Sequence, residues 1–143
     1  MKQKIINKNI SASWSSWTDY LKVNMGNMRL EQFRILFLNK KNILIADEVL
    51  SQGTIDQAAV YPREIIKRAL FNKASSLILV HHHPSGSPEP SKADIHMINK
   101  IVETCQTVNI IVLNLICSYE YKELQHIIYF FFYIHRYINI YIN

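Results

Sequence analysis

The pattern of apolar and polar positions along this chain predicts several strands. Two runs rich in β-branched and aromatic residues, Gln32–Leu38 and Ile43–Ser51, are typical of strands, and the short polar segment between them predicts a hairpin. The apolar run Ser76–Val80 is short and ends at polar residues, which favours a buried strand. Ile110–Leu115 has the same character and predicts a further strand.

Helices are expected before and between these strands. Trp14–Met25 and Ser91–Val108 carry apolar residues at helical spacing, and Pro62–Asn72 begins with proline at its first position. Strands and helices in this order predict an α/β fold. A mixed sheet would be covered by helices on both faces and form the middle of three α-β-α layers.

The chain is expected to contain one domain, and its 143 residues suffice to bury a core. We divide it into an N-terminal arm and helix (residues 1–28), the α/β domain (29–116) and an apolar tail of low complexity (117–143). With 49% hydrophobic and 19% charged residues, the composition is typical of a globular protein rather than a disordered one.

Charge and cysteine content indicate the compartment and the partners. The two cysteines lack disulfide-like spacing and residues 1–9 lack the apolar core of a secretory signal, so we expect a cytoplasmic location. The formal net charge of +5 permits weak attraction to nucleic acid. No basic run and no interleaving of basic with aromatic residues supports that attraction further.

The segment that begins at His81 carries ligand types that zinc prefers: two imidazoles, His81 and His83, and the carboxylate of Asp94. If extended backbone continues from Ser76–Val80 through His83, both imidazoles point to one side, about 6.5–7 Å apart at Cα, and can reach one metal. His82 would point the other way. Three protein ligands leave one position open for water, which is typical of catalytic zinc.

Ser91 and Asp94 also have a simpler interpretation. The sequence Ser91-Lys92-Ala93-Asp94 fits the capping box S-x-x-[DE], so both side chains could serve only the start of a helix. Capping does not explain why His-x-His directly follows a buried strand. The metal site is therefore the favoured interpretation.

The segment from His81 to Asp94 resembles a known family. It reads H-x-H-P-S-G-x-x-x-P-S-x-x-D and matches the signature of bacterial RadC-like proteins, a branch of the JAMM (MPN-plus) zinc metallopeptidases. The resemblance covers about residues 13–112. Four further blocks look like those of the family: Glu31–Leu38, Ile45–Leu50, Gly53–Asp56 and Tyr61–Glu64.

The resemblance implies one Zn²⁺ and a role for each of five side chains. His81, His83 and Asp94 would hold the zinc. Glu48 would be the general base that takes a proton from the zinc-bound water. Ser91 would help to stabilise the oxyanion that forms when this water attacks an amide carbonyl. The family also implies a three-layer, deaminase-like fold.

The position of Glu48 can be considered without the family. Alternation along Ile43–Ser51 puts this carboxylate on an otherwise apolar strand face, where it is costly unless it meets a partner or a metal-bound water. The alternative is that Glu48 marks the end of the strand and is solvated. The residues alone leave both interpretations open.

Two other reactions are disfavoured. Base deaminases carry H-x-E followed by P-C-x-x-C, whereas this chain has H-x-H and no C-x-x-C. Neither Cys105 nor Cys117 lies in a nucleophile context, so a cysteine mechanism is not expected.

The chain departs from the family at both ends. Full-length relatives commonly carry an N-terminal helix-hairpin-helix module, a DNA-binding element, and residues 1–28 are too short for one. Asn114 and Leu115 stand where relatives have an Asp-His pair, and residues 117–143 resemble nothing in the family. The family's old association with DNA repair thus has little support in these residues.

The tail has three alternative explanations. Its most apolar part, Ile127–Ile134, is too short to span a membrane, so no membrane span is expected. Four tyrosines spaced four residues apart from Tyr129 to Tyr141 would form a helical stripe for a partner. The favoured hypothesis is a frameshift that replaced the native ending with translated AT-rich sequence.

The sequence therefore favours a zinc-dependent metallohydrolase that cleaves a peptide or isopeptide bond in a protein or peptide substrate. A degenerate, inactive remnant that still binds metal is the first alternative. A DNA-repair-associated accessory module is the second.

Overall fold

The computed structural model describes residues 20–21, 31–52, 60–83, 91–121 and 124–129, with the backbone alone for residues 52, 83, 114–121 and 124–129. Tyr20 and Leu21 are helical. The other described elements, in chain order, are β1 (Gln32–Leu38), β2 (Leu44–Gln52), α1 (Pro62–Phe71), β3 (Ser76–His83), α2 (Lys92–Thr107), β4 (Ile111–Tyr121) and β5 (Leu124–Tyr129).

The described strands form one mixed sheet of five strands in the order β2-β1-β3-β4-β5. β1 pairs antiparallel with β2 on one side and with β3 on the other. β3 and β4 pair in parallel, and helix α2 makes the crossover between them. β5 pairs antiparallel with β4. The predicted α/β class with a mixed sheet is confirmed.

The predicted hairpin between β1 and β2 is present, and its turn is stabilised by Asn39. The Oδ1 atom of Asn39 accepts hydrogen bonds from the backbone N–H groups of Lys41 (2.9 Å) and Ile43 (3.1 Å). Asn42 has a φ of 59°, in the left-handed region that asparagine tolerates better than most residues. Local side-chain chemistry thus fixes the register of this pair.

Both faces of the sheet are covered. On one face, apolar residues of β1 and β3 pack against the buried sides of α1 and α2; this main core includes Phe33, Ile35, Phe37, Leu77, Leu79, Ile65, Ala69, Ile98 and Ile101. On the other face, Tyr20 and Leu21 pack against Leu36, Leu38, Leu44, Ile78 and Val80. The described residues therefore form the three layers that the element order predicts.

The second face also buries a polar group of three residues. Nε of Arg34 lies 3.3 Å from Oδ1 of Asp47. The hydroxyl of Tyr20 donates a hydrogen bond to Oδ2 of Asp47. Burial, and then this hydrogen bond, raise the pKa of Tyr20 above its usual value. The group links the N-terminal helical residues to the hairpin.

The sheet continues beyond residue 116, where the sequence suggested that the domain ends. β4 runs to Tyr121 because its pairing with β3 extends to His83 and Tyr119 and its pairing with β5 covers Ile116 to Tyr121. Tyr129, the first residue of the predicted tyrosine stripe, ends strand β5. The rest of that stripe and most of the predicted helix Trp14–Met25 lie outside the described residues.

No helix among the described parts of the chain is long and apolar enough to cross a membrane.

Candidate metal centre

His81 lies near the carboxyl end of β3, on the sheet face that the two helices cover. Its backbone pairs with Phe33 of β1, and the two rings make an edge-to-face contact with centroids 5.9 Å apart. The side chain is buried. The predicted extension of the strand through His83 is present, so one continuous strand carries the whole His-x-His segment.

Ser91 and Asp94 form the capping box at the start of α2. The backbone N–H of Ser91 donates to Oδ2 of Asp94 at 2.8 Å, and the N–H of Asp94 donates to Oγ of Ser91 at 3.1 Å. Asp94 is completely buried. The prediction that these two residues cap the helix is therefore confirmed, and capping leaves room for a further role.

Capping occupies one oxygen of Asp94 and directs the other toward the strand. Oδ1 of Asp94 lies 3.5 Å from Nδ1 of His81. Two ligands of a tetrahedral zinc ion, with bonds of 2.0–2.1 Å, are separated by about 3.4 Å. The two predicted ligands whose side chains are described thus fit the donor set and the spacing of such an ion.

A second carboxylate reaches the same imidazole. Oε1 of Glu31 lies 2.9 Å from Nε2 of His81, and the Glu31 side chain is 27% exposed. Glu31 directly precedes β1. Because β1 runs antiparallel to β3, its first residues lie beside the last residues of β3, as the pairs Gln32–His82 and Phe33–His81 show. His81 therefore has a carboxylate at each ring nitrogen, an environment that attracts a cation.

The third predicted ligand is described only in part. The backbone of His83 belongs to β3 and pairs with Tyr119 of β4; its side chain lies outside the described residues. Among the side chains that the structure does describe, there is no group of three histidine, cysteine, aspartate or glutamate residues arranged to hold a metal ion.

Glu48, predicted to be the general base, lies elsewhere. Its carboxylate accepts hydrogen bonds from both Nε (3.2 Å) and Nη2 of Arg68, and from Nδ2 of Asn72 at 3.0 Å. The hydrogen bond to Glu48 raises the pKa of Arg68. A carboxylate on this strand face does need a partner, as the sequence suggested, and α1 supplies one.

The strand order explains why Glu48 does not meet the imidazole. Glu48 pairs with Ile35 of β1, and Ile35 pairs with Leu79 of β3. Glu48 therefore lies two strands from β3, about 10 Å away, and level with Leu79 rather than His81. It lines a separate cleft of about 280 Å³, together with Val49, Leu50, Val60, Tyr61, Glu64 and Arg68.

Sequence reasoning missed Glu31 as a site residue. The signal that could have found it is its place immediately before β1, provided that β1 is assumed to pair with β3 as well as with β2. A hairpin prediction specifies only one neighbour of each strand, so the second pairing was not available from the pattern.

The buried thiol of Cys105 lies in the main core. Burial raises the pKa of Cys105 to about 11, so the thiol is protonated at neutral pH. This agrees with the expectation that Cys105 is not a nucleophile.

Comparison with known proteins gives a consistent result. A family model described as "RadC-like JAB domain" matches residues 11–122. The chain is 46% identical over 110 residues to a UPF0758 protein of Rhodobacter capsulatus, an alignment that covers 77% of this chain and 51% of that protein. It is 44% identical over 109 residues to a UPF0758 protein of Ruegeria pomeroyi, covering 76% and 49%. The chain spans about half the length of these curated relatives.

Proposed function

The chain belongs to the RadC-like JAB domain family, and on this basis we propose that it is a zinc-dependent hydrolase that cleaves a peptide or isopeptide bond. The observation that carries the proposal is the convergence of a buried imidazole, His81, with the carboxylates of Glu31 and Asp94 at one end of the sheet. Such a group needs a cation or a proton to balance its charge.

In this proposal His81, His83 and Asp94 hold one Zn²⁺. The separation of 3.5 Å between Nδ1 of His81 and Oδ1 of Asp94 supports the assignment. Zinc supplies Lewis acidity and brings the pKa of a water molecule toward about 7. The capping box holds Asp94 in place, since the backbone N–H of Ser91 fixes its second oxygen.

The general base in this proposal is Glu31 rather than Glu48. Glu31 lies beside His81 and is partly exposed. With zinc on the Nδ1 side of the ring, its carboxylate would leave Nε2 to take a proton from water at the site and deliver it to the leaving nitrogen. Glu48 is a poor candidate because Arg68 and Asn72 already occupy its oxygens.

Ser91 keeps a role in this scheme besides capping. Its Oγ accepts the hydrogen bond from the N–H of Asp94, and a hydroxyl group still has one O–H to donate. That donor is available to the negative charge that develops on the carbonyl oxygen of the substrate.

Zinc stoichiometry of the purified full chain tests the proposal. We expect one zinc per chain in the wild type and substantially less in His83→Ala and Asp94→Asn, with Asp47→Asn as a buried carboxylate control that keeps its zinc. The proposed metal centre would be refuted if the wild type binds no zinc. It would also be refuted if all four proteins bind the same amount.

Hydrolysis of a mixture of unstructured fluorogenic peptides then tests the activity. We expect cleavage by the zinc-loaded wild type and its loss in Glu31→Gln. Stoichiometric zinc without cleavage of peptides or of isopeptide-linked peptide pairs would favour the inactive metal-binding remnant.

A further inference from the structure

Helix α1 exposes a continuous surface of cations and large apolar side chains. Ile65 and Ala69 turn inward to the main core, and the residues on the opposite side of the helix are exposed. We call this surface the α1 stripe; it consists of Tyr61, Arg63, Lys67, Leu70, Phe71 and Lys73.

The apolar members of the α1 stripe are unusually exposed for their size. Phe71 is 72% exposed, Leu70 59% and Tyr61 53%. Among described residues the other exposed large apolar side chains are on β2, on β4 and after α2, at Val49, Ile111, Leu113 and Val108. A cluster of exposed apolar side chains on one short helix indicates a binding surface more than isolated ones do.

Each aromatic ring of the α1 stripe lies against a guanidinium. The Cζ atom of Arg63 is 5.7 Å from the centroid of the Tyr61 ring, and that of Arg68 is 4.7 Å from the centroid of Phe71. These cation–π contacts hold the two rings at opposite ends of the helix. Arg68 is also held by Glu48, which keeps Phe71 and Arg68 in a fixed arrangement.

The charge of the surface is positive. Arg63, Lys67 and Lys73 are exposed, and Arg63 and Lys67 lie one helical turn apart, about 6 Å along the axis. Glu64 is the one acidic residue of α1; it is exposed beside the stripe on the same side of the helix, and its charge acts on Arg68. The charge of Arg68 itself is balanced by Glu48. The stripe therefore carries three cations that no described carboxylate pairs with at ion-pair distance.

We propose that the α1 stripe binds single-stranded nucleic acid, with Arg63, Lys67 and Lys73 contacting phosphates and Phe71 and Tyr61 stacking on bases. Exposed rings with adjacent guanidinium groups and a track of cations are what sequence-independent binding of single strands requires. The phosphate backbone supplies the complementary charge. This surface faces away from the core side of α1, so it is separate from the candidate metal centre and does not rest on the proposed hydrolase.

Other occupants fit the observations less well. A second copy of the chain would pack antiparallel about a two-fold axis, which brings Lys67, near the middle of the stripe, toward its own equivalent. Two like charges at the centre of an interface are unfavourable. An anionic membrane would attract the cations, but a helix of 10 residues offers little apolar area to insert.

The test is fluorescence anisotropy of a labelled oligonucleotide of 20 thymidines with the full chain at several salt concentrations. We expect micromolar affinity at low salt and a slope of log K against log [salt] of about −2, as three phosphate contacts on a single strand predict. Phe71→Ala should weaken binding by about 5- to 160-fold through loss of stacking. Lys67→Gln should reduce the slope by about 0.7.

A matched control distinguishes binding at the α1 stripe from general attraction to the net positive charge of the protein. Lys100→Gln removes a lysine of α2 that is also exposed and should leave both affinity and slope at the wild-type values. All these positions are exposed, and unchanged circular dichroism would establish that each variant is folded. Equal effects of Lys67→Gln and Lys100→Gln, or wild-type affinity in Phe71→Ala, would overturn the proposal. Binding to vesicles of anionic lipid without binding to the oligonucleotide would overturn it too.

Discussion

Oε1 of Glu31 lies 2.9 Å from Nε2 of His81, although 50 positions separate the two residues in sequence. Antiparallel pairing of β1 with β3 brings them together. Glu31, directly before β1, therefore faces the imidazole, and Glu48, within β2, faces the guanidinium of Arg68.

Exchanging Glu31 or Glu48 for glutamine should affect the rate of peptide hydrolysis very differently. Glu31→Gln should lower the rate of peptide hydrolysis by about 10²- to 10⁴-fold, the usual contribution of a general base. Glu48→Gln should leave the rate within a few-fold of wild type, because that side chain can still accept hydrogen bonds from Asn72. Initial rates with a fluorogenic peptide check both variants, and a larger loss in Glu48→Gln than in Glu31→Gln would return the role of base to Glu48.

Zinc should stabilise the protein through His81 and Asp94. With free zinc at about 100 times its dissociation constant, the free energy of unfolding should rise by about 2.7 kcal/mol. Asp94→Asn should lose this increment, whereas Asp47→Asn should keep it. Urea unfolding with zinc and with chelator measures the increment. An increment that is unchanged in Asp94→Asn would exclude Asp94 as a ligand.

The capping role of Ser91 should be measurable without any metal. Ser91→Ala removes the acceptor for the N–H of Asp94 and should lower the free energy of unfolding by about 0.5–2 kcal/mol. Ser91→Asn replaces it with another good N-cap residue and should cost much less. Urea unfolding in the presence of chelator compares the two variants. Equal losses of stability would show that the Ser91 hydroxyl does not stabilise the protein by capping α2.

The buried thiol and phenol should make the protein less stable at alkaline pH. Burial raises the pKa of Cys105 to about 11 and also raises that of Tyr20. The unfolded chain therefore loses these protons at lower pH than the folded chain, and stability falls as pH rises above about 9 for the thiol and about 10 for the phenol. Each group contributes a slope of at most about 1.4 kcal/mol per pH unit.

Cys105→Ala should flatten the fall between pH 9 and 10, measured by urea unfolding at each pH. Because the substitution also lowers stability at pH 7, the fall is measured for each protein relative to its own free energy of unfolding at pH 7. Tyr20→Phe loses the hydrogen bond to Asp47 at every pH, but it should flatten the fall in stability only above pH 10. A fall of the same steepness in Cys105→Ala and wild type would contradict the assignment to the thiol.

A core substitution beside the site should destabilise far more than a surface one. Leu79 is fully buried in the main core, and Leu79→Ala should cost about 2–5 kcal/mol. Leu70 is largely exposed, so Leu70→Ala should change the free energy of unfolding by less than about 0.5 kcal/mol. Urea midpoints of the two variants provide the comparison, and similar losses would contradict the packing described for α1.

Local features were predictable from the sequence because neighbouring residues determine them. The proline at the start of α1, the capping box of Ser91 and Asp94, and the polar turn at Asn39 all act within a few positions. The extension of β3 through His83 followed from the same local pattern. The bounds of both described helices lie within one residue of those predicted.

Features that depend on strand order could not be predicted in this way. Glu48 lies within β2 and Glu31 directly before β1, and only the order β2-β1-β3 decides which of them reaches His81. The α1 stripe was missed for a similar reason. Arg63, Lys67 and Phe71 are spread along the sequence, and they become neighbours only on the outer side of the helix.

The reciprocal hydrogen bonds between Ser91 and Asp94 have a consequence for how the protein matures. They involve only Ser91 and Asp94 themselves, so they fix where helix α2 begins. If the proposed zinc binds, it meets a carboxylate that the fold already holds in place, unlike the ligands of small domains that fold only around their metal. Depletion and resupply of zinc in the surrounding medium should therefore switch the centre off and on without passing through an unfolded chain.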